Sequence, residues 1–249
     1  MWEIKFYMKS ISEIYRHKKS ETAIFLGSGP SINNITPKQW DLISDFDSWT
    51  MNNWLYHPFV PSFYHVEAKP YNRKLWKKRK SEMGDKFKNT VFIVNKDRRY
   101  LLDLIGNEKY IYEYQMNKIN ITNQPIIPKY TSDTDPNILT CNLNSSMTLL
   151  LELLLRFEYK QVVFFGVDLY DSNYFWTGKP EFGKVHAQWN KDHEGRKPTQ
   201  QHNTAHIKDF IVWFSRNKMI NISGEFLVGH KDTLLYPDLE YINITGDKN

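Results

Sequence analysis

Cysteine is nearly missing: Cys141 stands alone in 249 residues. A lone thiol excludes an internal disulfide framework and a cysteine-based structural zinc site, and its ordinary role is that of a small apolar core residue. This usage agrees with a reducing cytoplasm, the location expected here. No uninterrupted apolar run reaches the ~20 residues that span a bilayer, and the opening MWEIKFYMKS has no apolar block of a secretion signal. The chain is therefore expected to be soluble, or at most attached to the inner face of a membrane. Phosphate-loop signatures are also lacking. GSGPS at 27–31 is followed by no Lys-Ser or Lys-Thr at the right distance, and Ile32 interrupts a G-x-G-x-x-G fingerprint. There is no H-E-x-x-H, and no D-x-D in a site context. These gaps argue against a P-loop enzyme, a nicotinamide dehydrogenase and a zinc peptidase, and no metal is expected.

What is present suits one large α/β domain. The net charge of +5 and the pI near 9.0 come from scattered Lys and Arg, so they fit an anionic ligand, an anionic membrane or nucleic acid equally well. Residues 1–20 place Trp2, Ile4, Phe6, Tyr7, Ile11, Ile14 and Tyr15 among basic residues at roughly helical spacing. That pattern predicts a basic amphipathic helix, lying on anionic lipid or packed on the sheet or another subunit. Ala23-Ile24-Phe25-Leu26 reads as a buried strand, stopped by Gly27, Gly29 and Pro30. Thr36-Pro37 opens a helix. Strands follow at 47–51, ending at Asn52-Asn53, at 62–66 and at 90–94, with a strongly basic helix candidate between the last two.

Residues 107–136 read as connecting structure with one short strand. Order returns with a leucine-rich helix from Met147 to Phe157, apolar around most of its circumference, and a central strand from Gln161 to Gly166. Asp168 and Tyr170 lie just past that strand. Asp168 is a ligand group or a turn former. About 171–200 has no useful period and reads as a mobile lid. A helix near 202–217 and a strand near MINISG close the domain, 21–249.

The turn GSGPS offers backbone N–H groups, with no side chain at Gly27 and Gly29 to obstruct a ligand and hydroxyls at Ser28 and Ser31. An ordinary strand-to-helix turn and a nucleotide contact both fit it. Taken in order, GSGPS after the first strand, MNN after the second, SSM opening an apolar helix, EYKQVVFFGVDLY and the histidine before NTAHIKDFIVWF resemble the bacterial sialyltransferases of glycosyltransferase family 42. The resemblance covers roughly 21–245, and 68–135 hardly matches.

The resemblance implies a single Rossmann-like nucleotide-binding domain of the variant GT-A type. It implies inverting, metal-independent transfer from CMP-sialic acid to a surface glycan acceptor such as a lipooligosaccharide or capsule. No cofactor beyond the CMP-activated donor is implied, and no nucleic acid. On it, the turn from Gly27 to Pro30 and Ser31 borders the nucleotide. Asn52, or its neighbour Asn53, contacts phosphate or sugar, and Ser145 and Ser146 line the donor pocket beside Gly166. Tyr170 and Tyr174 hydrogen-bond the leaving phosphate. His202 is the general base, with His206 one turn later as the reserve. Where the family carries an arginine near the SSM helix, this chain has Leu143. That leaves the carboxylate contact to another cation, such as Arg196, and opens the donor to Kdo or a bacterial nonulosonate. The family's oligomers make the N-terminal segment a candidate homo-oligomer contact. A pterin diphosphokinase-like enzyme using ATP, and a non-catalytic nucleotide- or RNA-binding module, stay open as alternatives.

Overall fold

The computed structural model describes residues 9–67, 73–106, 109–116, 137–139, 145–167, 174–183, 187 and 221–223. Among them an α/β fold is built on parallel strands. These are β1 (Lys9–Ser10), β2 (Thr22–Leu26), β3 (Asp47–Met51), β4 (Phe63–Val66), β5 (Val91–Asn95), β6 (Ile111–Met116), β7 (Ile138–Leu139), β8 (Gln161–Phe165) and β9 (Asn221–Ser223). The sheet runs β1-β6-β5-β4-β3-β2-β8-β9, and β7 pairs with β6 just beyond β1. The pattern is compatible with a Rossmann-like fold. All the pairings are parallel.

The strand runs are apolar because a parallel sheet is covered on both faces. In β2, Ala23 through Leu26 are all buried, as are Val162 through Phe165 in β8. From β2 the chain steps outward through β3, β4, β5 and β6, then returns to the other side of β2 with β8. The order therefore reverses between β2 and β8. In open parallel sheets the crevice beyond the carboxyl ends at such a reversal is the usual ligand site.

Helices cover the sheet. α1 (Pro37–Ser44) begins with a capping box: Thr36 Oγ1 accepts from the Gln39 N–H, and Gln39 Oε1 accepts from the Thr36 N–H. α2 (Arg73–Met83) buries only Trp76 of its basic sequence. α3 (Leu102–Ile105) is a single turn that ends at Gly106. α4 (Ser146–Arg156) is capped by Ser145, whose Oγ accepts from the Met147 N–H at 3.2 Å, and it buries every residue from Met147 to Leu155. Among the described residues no helix is long and apolar enough to cross a membrane.

Of the amphipathic helix expected over 1–20, residues 9–20 are described. Lys9–Ser10 form β1, and Ile11–His17 form a 3₁₀ turn that buries Ile11 and Ile14 in the main core. Three residues per 3₁₀ turn put residues three apart on one side, which is how these two isoleucines both reach inward.

Candidate functional site

β2 and β8 run in register to Leu26 and Phe165, so Gly27 and Gly166 meet just past the strand ends. The Gly27 N–H donates to the Phe165 carbonyl, and the Gly29 N–H to the Gly166 carbonyl, both at 2.7 Å. These bonds extend the ladder into the turn. They also give the two glycines a packing role of their own, independent of any ligand. Pro30–Asn34 then form a short 3₁₀ turn rather than a long helix.

Over this turn lies the described part of the expected lid. The Phe175 N–H donates to the Ser28 carbonyl at 3.0 Å, and Asn33 Nδ2 donates to the Phe175 carbonyl at 3.1 Å. An aromatic cluster holds the segment from below. Phe175 meets Trp54 and His57 edge-on, Tyr56 stacks on Phe182, and Tyr174 lies parallel to Trp176 with centroids 4.4 Å apart. Tyr174, expected to hold a leaving phosphate, is half-buried in that stack. Burial in this cluster, and to a lesser extent the Lys179 ammonium, pushes the His57 imidazole down to about 4. His57 Nδ1 accepts the Phe59 N–H, so a proton on the neutral ring sits on Nε2.

At the end of β3, Asn52 has a left-handed backbone, φ 55°, a conformation that is rare outside glycine and concentrates at functional sites. The buried Tyr64 fixes it: its hydroxyl donates to the Asn52 carbonyl at 2.6 Å while accepting the Leu55 N–H at 2.9 Å. Loss of water around Tyr64 raises its pKa well above the phenol range. The Ser146 hydroxyl at the start of α4 shares its single proton between Glu67 Oε2, in a short hydrogen bond, and Asn52 Oδ1 at 3.2 Å. The MNN and SSM segments thus meet.

Glu67, at the carboxyl end of β4, was not singled out from the sequence. Its other oxygen, Oε1, pairs with Arg98 beyond β5 at 2.9 Å. Beneath the pair, His65 is fully enclosed, with Nε2 at 2.8 Å from the Tyr114 hydroxyl and with no partner for Nδ1 among the described residues. Burial lowers the His65 pKa; the Glu67 charge opposes this and the Arg98 charge adds to it. The ring is neutral near pH 7. Strands in a sheet lie ~4.8 Å apart, so Glu67 sits roughly 10 Å along the edge from the Gly27 turn, about the reach of a nucleotide with one sugar. A signal did exist. In Phe63-Tyr64-His65-Val66-Glu67 a buried strand becomes charged at its carboxyl end, as β3 becomes polar at Asn52.

The structure brings Gly27, Ser28, Gly29, Asn52, Ser145, Ser146, Gly166 and Tyr174 to the carboxyl side of the sheet. The Ser145 side chain is occupied in capping α4, which leaves Ser146 as the serine that faces the edge. Asp168, Tyr170, His202, His206 and Arg196 lie outside the described residues. The chain matches no family model. No curated protein sequence matches it significantly.

Proposed function

We propose that the chain is an inverting, metal-independent glycosyltransferase, moving sialic acid or a related acidic sugar such as Kdo from a CMP donor to a hydroxyl of a surface glycan. The contact between Ser146 and Asn52 carries this reading. These residues are 94 positions apart, and the motif order gave both to the donor pocket; they hydrogen-bond at the edge beside the β2–β8 reversal. A left-handed Asn52, the glycine turn, and a carboxylate and guanidinium at Glu67 and Arg98 add amide, hydroxyl and charged groups suited to a polyhydroxylated acid.

The acceptor oxygen attacks the anomeric carbon as the bond to phosphate breaks, CMP leaves, and the acceptor proton passes to His202. Tyrosine hydroxyls and the Ser28 hydroxyl of the glycine turn, whose Gly27 and Gly29 N–H groups are engaged in the sheet, balance the charge on the departing phosphate. With one phosphate to neutralise, such donors suffice without a divalent cation.

Thermal shift with CMP, CDP, UDP, ADP and ATP tests the reading, since a ligand that binds only the folded chain raises its stability by RT ln(1 + [L]/Kd). Selective stabilisation by CMP that persists in EDTA is expected. Equal shifts with all five nucleotides, or with none, reject it.

A further inference from the structure

The sheet has a second polar edge, at the amino ends of the strands and opposite the proposed donor site. A recess of about 110 Å³ opens there between His17, Lys19, Ser62, Phe63, Asn89, Val91 and Tyr110. We propose that this recess binds a phosphate-class dianion, held by Lys19, His17, Ser62 and Asn89 and flanked by Lys9 and Lys109.

The cations converge with little to neutralise them. The Lys9 and Lys109 ammonium groups lie 5.5 and 4.9 Å from the centre of the Tyr110 ring, one wall of the recess. Arg16 donates twice to the Tyr112 hydroxyl, which also lies 2.7 Å from His17 Nε2. Among the described residues, Lys9, Lys19 and Lys109 form no ion pair. Of the nearby carboxylates, Glu13 pairs with Arg16, and Asp47 Oδ2 accepts the backbone N–H groups of Lys19 and Ser20 and the Tyr159 hydroxyl, while its Oδ1 has no partner among the described residues.

Like charges gathered around a shared space repel, and a dianion seated among them relieves that repulsion while accepting charge-assisted hydrogen bonds. The ionisation of the neighbours reports the same field. His17 is held below its ordinary value by burial and then by Arg16, Lys9, Lys19 and Lys109. Tyr110 is held below its own, chiefly by a hydrogen bond from Lys109. The floor of the recess is fixed, because the Ser62 N–H donates to Ser48 Oγ and the Val91 N–H to the Ser62 carbonyl, so an anion meets side chains that are already placed.

Free phosphate and a phosphate-bearing lipid headgroup share this chemistry, and the experiment separates them. Inorganic phosphate is titrated into the full chain without nucleotide, against chloride at matched ionic strength, following melting temperature and the phosphorus resonance. Vesicles of phosphatidylcholine with and without phosphatidate are floated with the same protein. Lys19→Gln changes an exposed side chain, and the double variant Lys9→Gln/Lys109→Gln changes one half-buried and one exposed side chain; the melting temperature without phosphate checks that each variant folds. Saturable phosphate binding, weakened about tenfold in each variant, supports the site with free phosphate as ligand. Flotation only with phosphatidate, lost in both variants, supports it with a headgroup as ligand. Neither response above the chloride control, or responses that both variants leave intact, overturns it. A failure of CMP binding does not enter, because the recess and the Gly27 turn lie at opposite edges of the sheet.

Discussion

Gly27 stands so close to Gly166 that a methyl group on it would lie 2.3 Å from the Gly166 carbonyl oxygen. Gly166, at φ 67°, would in turn place a methyl group 2.4 Å from Cγ1 of the buried Ile32. The reversal of the sheet therefore needs two glycines for packing, before any ligand is considered. Gly27→Ala should cost about 2–4 kcal/mol in chemical denaturation, since its obstacle is backbone that cannot turn aside. Gly166→Ala should cost as much, and partial relief by Ile32→Ala is expected because there the obstacle is a side chain. Losses below about 1 kcal/mol in both single variants would mean that the two strand ends are not packed this closely.

At Asn52 strain and contact separate. Glycine accepts φ 55° freely, whereas alanine pays about 1 kcal/mol for it. Both replacements remove the Oδ1 that Ser146 reaches. Asn52→Gly should thus be more stable than Asn52→Ala, while CMP-sugar affinity falls in both. Equal stability of the two variants would contradict the left-handed backbone. Undiminished affinity would remove Asn52 from the donor site.

Much of this was legible in the chain because strands buried on both faces write themselves as unbroken apolar runs. β2, β3, β4, β5 and β8 were all expected within a residue or two of their ends. β6 was harder. Tyr112-Glu113-Tyr114-Gln115 alternates aromatic and polar residues inside a stretch that reads as connecting structure with one short strand, and β1 and β7 are two residues each. Glu67 and Arg98 escaped for another reason: their meaning depends on β4 and β5 being neighbours, which only the strand order supplies. Glu152 differs: its partner Arg156 lies four residues on along the same helix, a spacing that the sequence itself carries.

That pair is a stability test. Glu152 is fully buried, and Arg156 NH2 lies 2.6 Å from its Oε1 while also donating to the Ile138 carbonyl. Removing one partner strands a buried charge; removing both does not. Arg156→Met should cost about 3–5 kcal/mol, and Glu152→Leu/Arg156→Met should recover most of it. A double variant no better than the single one would show that the carboxylate is not what the arginine compensates.

Acid should loosen the aromatic cluster. His57 is pushed from 6.5 down to about 4 in the folded chain, so the unfolded chain binds the extra proton first. Stability from this group is complete above about pH 6.5 and is lost as pH falls toward about 4, at up to ~1.4 kcal/mol per pH unit. Burial lowers His17 and His65 in the same direction. In His57→Asn, Asn Oδ1 can take the place of Nδ1 in accepting the Phe59 N–H, and nothing titrates. Denaturant melts between about pH 4 and pH 7 should show a shallower acid slope in that variant. An unchanged slope would shift the acid sensitivity to the other histidines.

The chemical step has its own signature. A general base contributes about 10²–10⁴-fold, and an imidazole with an ordinary pKa near 6.5 is suited to accept a hydroxyl proton near neutral pH. His202→Ala should therefore lower turnover ~10²-fold or more while CMP affinity and melting temperature stay near those of the parent. Its residual rate should lose the acidic limb that the base imposes on the pH profile. Full activity in His202→Ala together with loss in His206→Ala would move the base by four residues; full activity in both would leave the acceptor proton to some other group. Tyr170→Phe and Tyr174→Phe probe the other end of the same step, since on the proposed mechanism each removes one donor to the departing phosphate. Slower turnover with substrate affinity retained is expected of each, and because a better leaving group needs less help, the deficit should shrink with a donor whose phosphate leaves more readily.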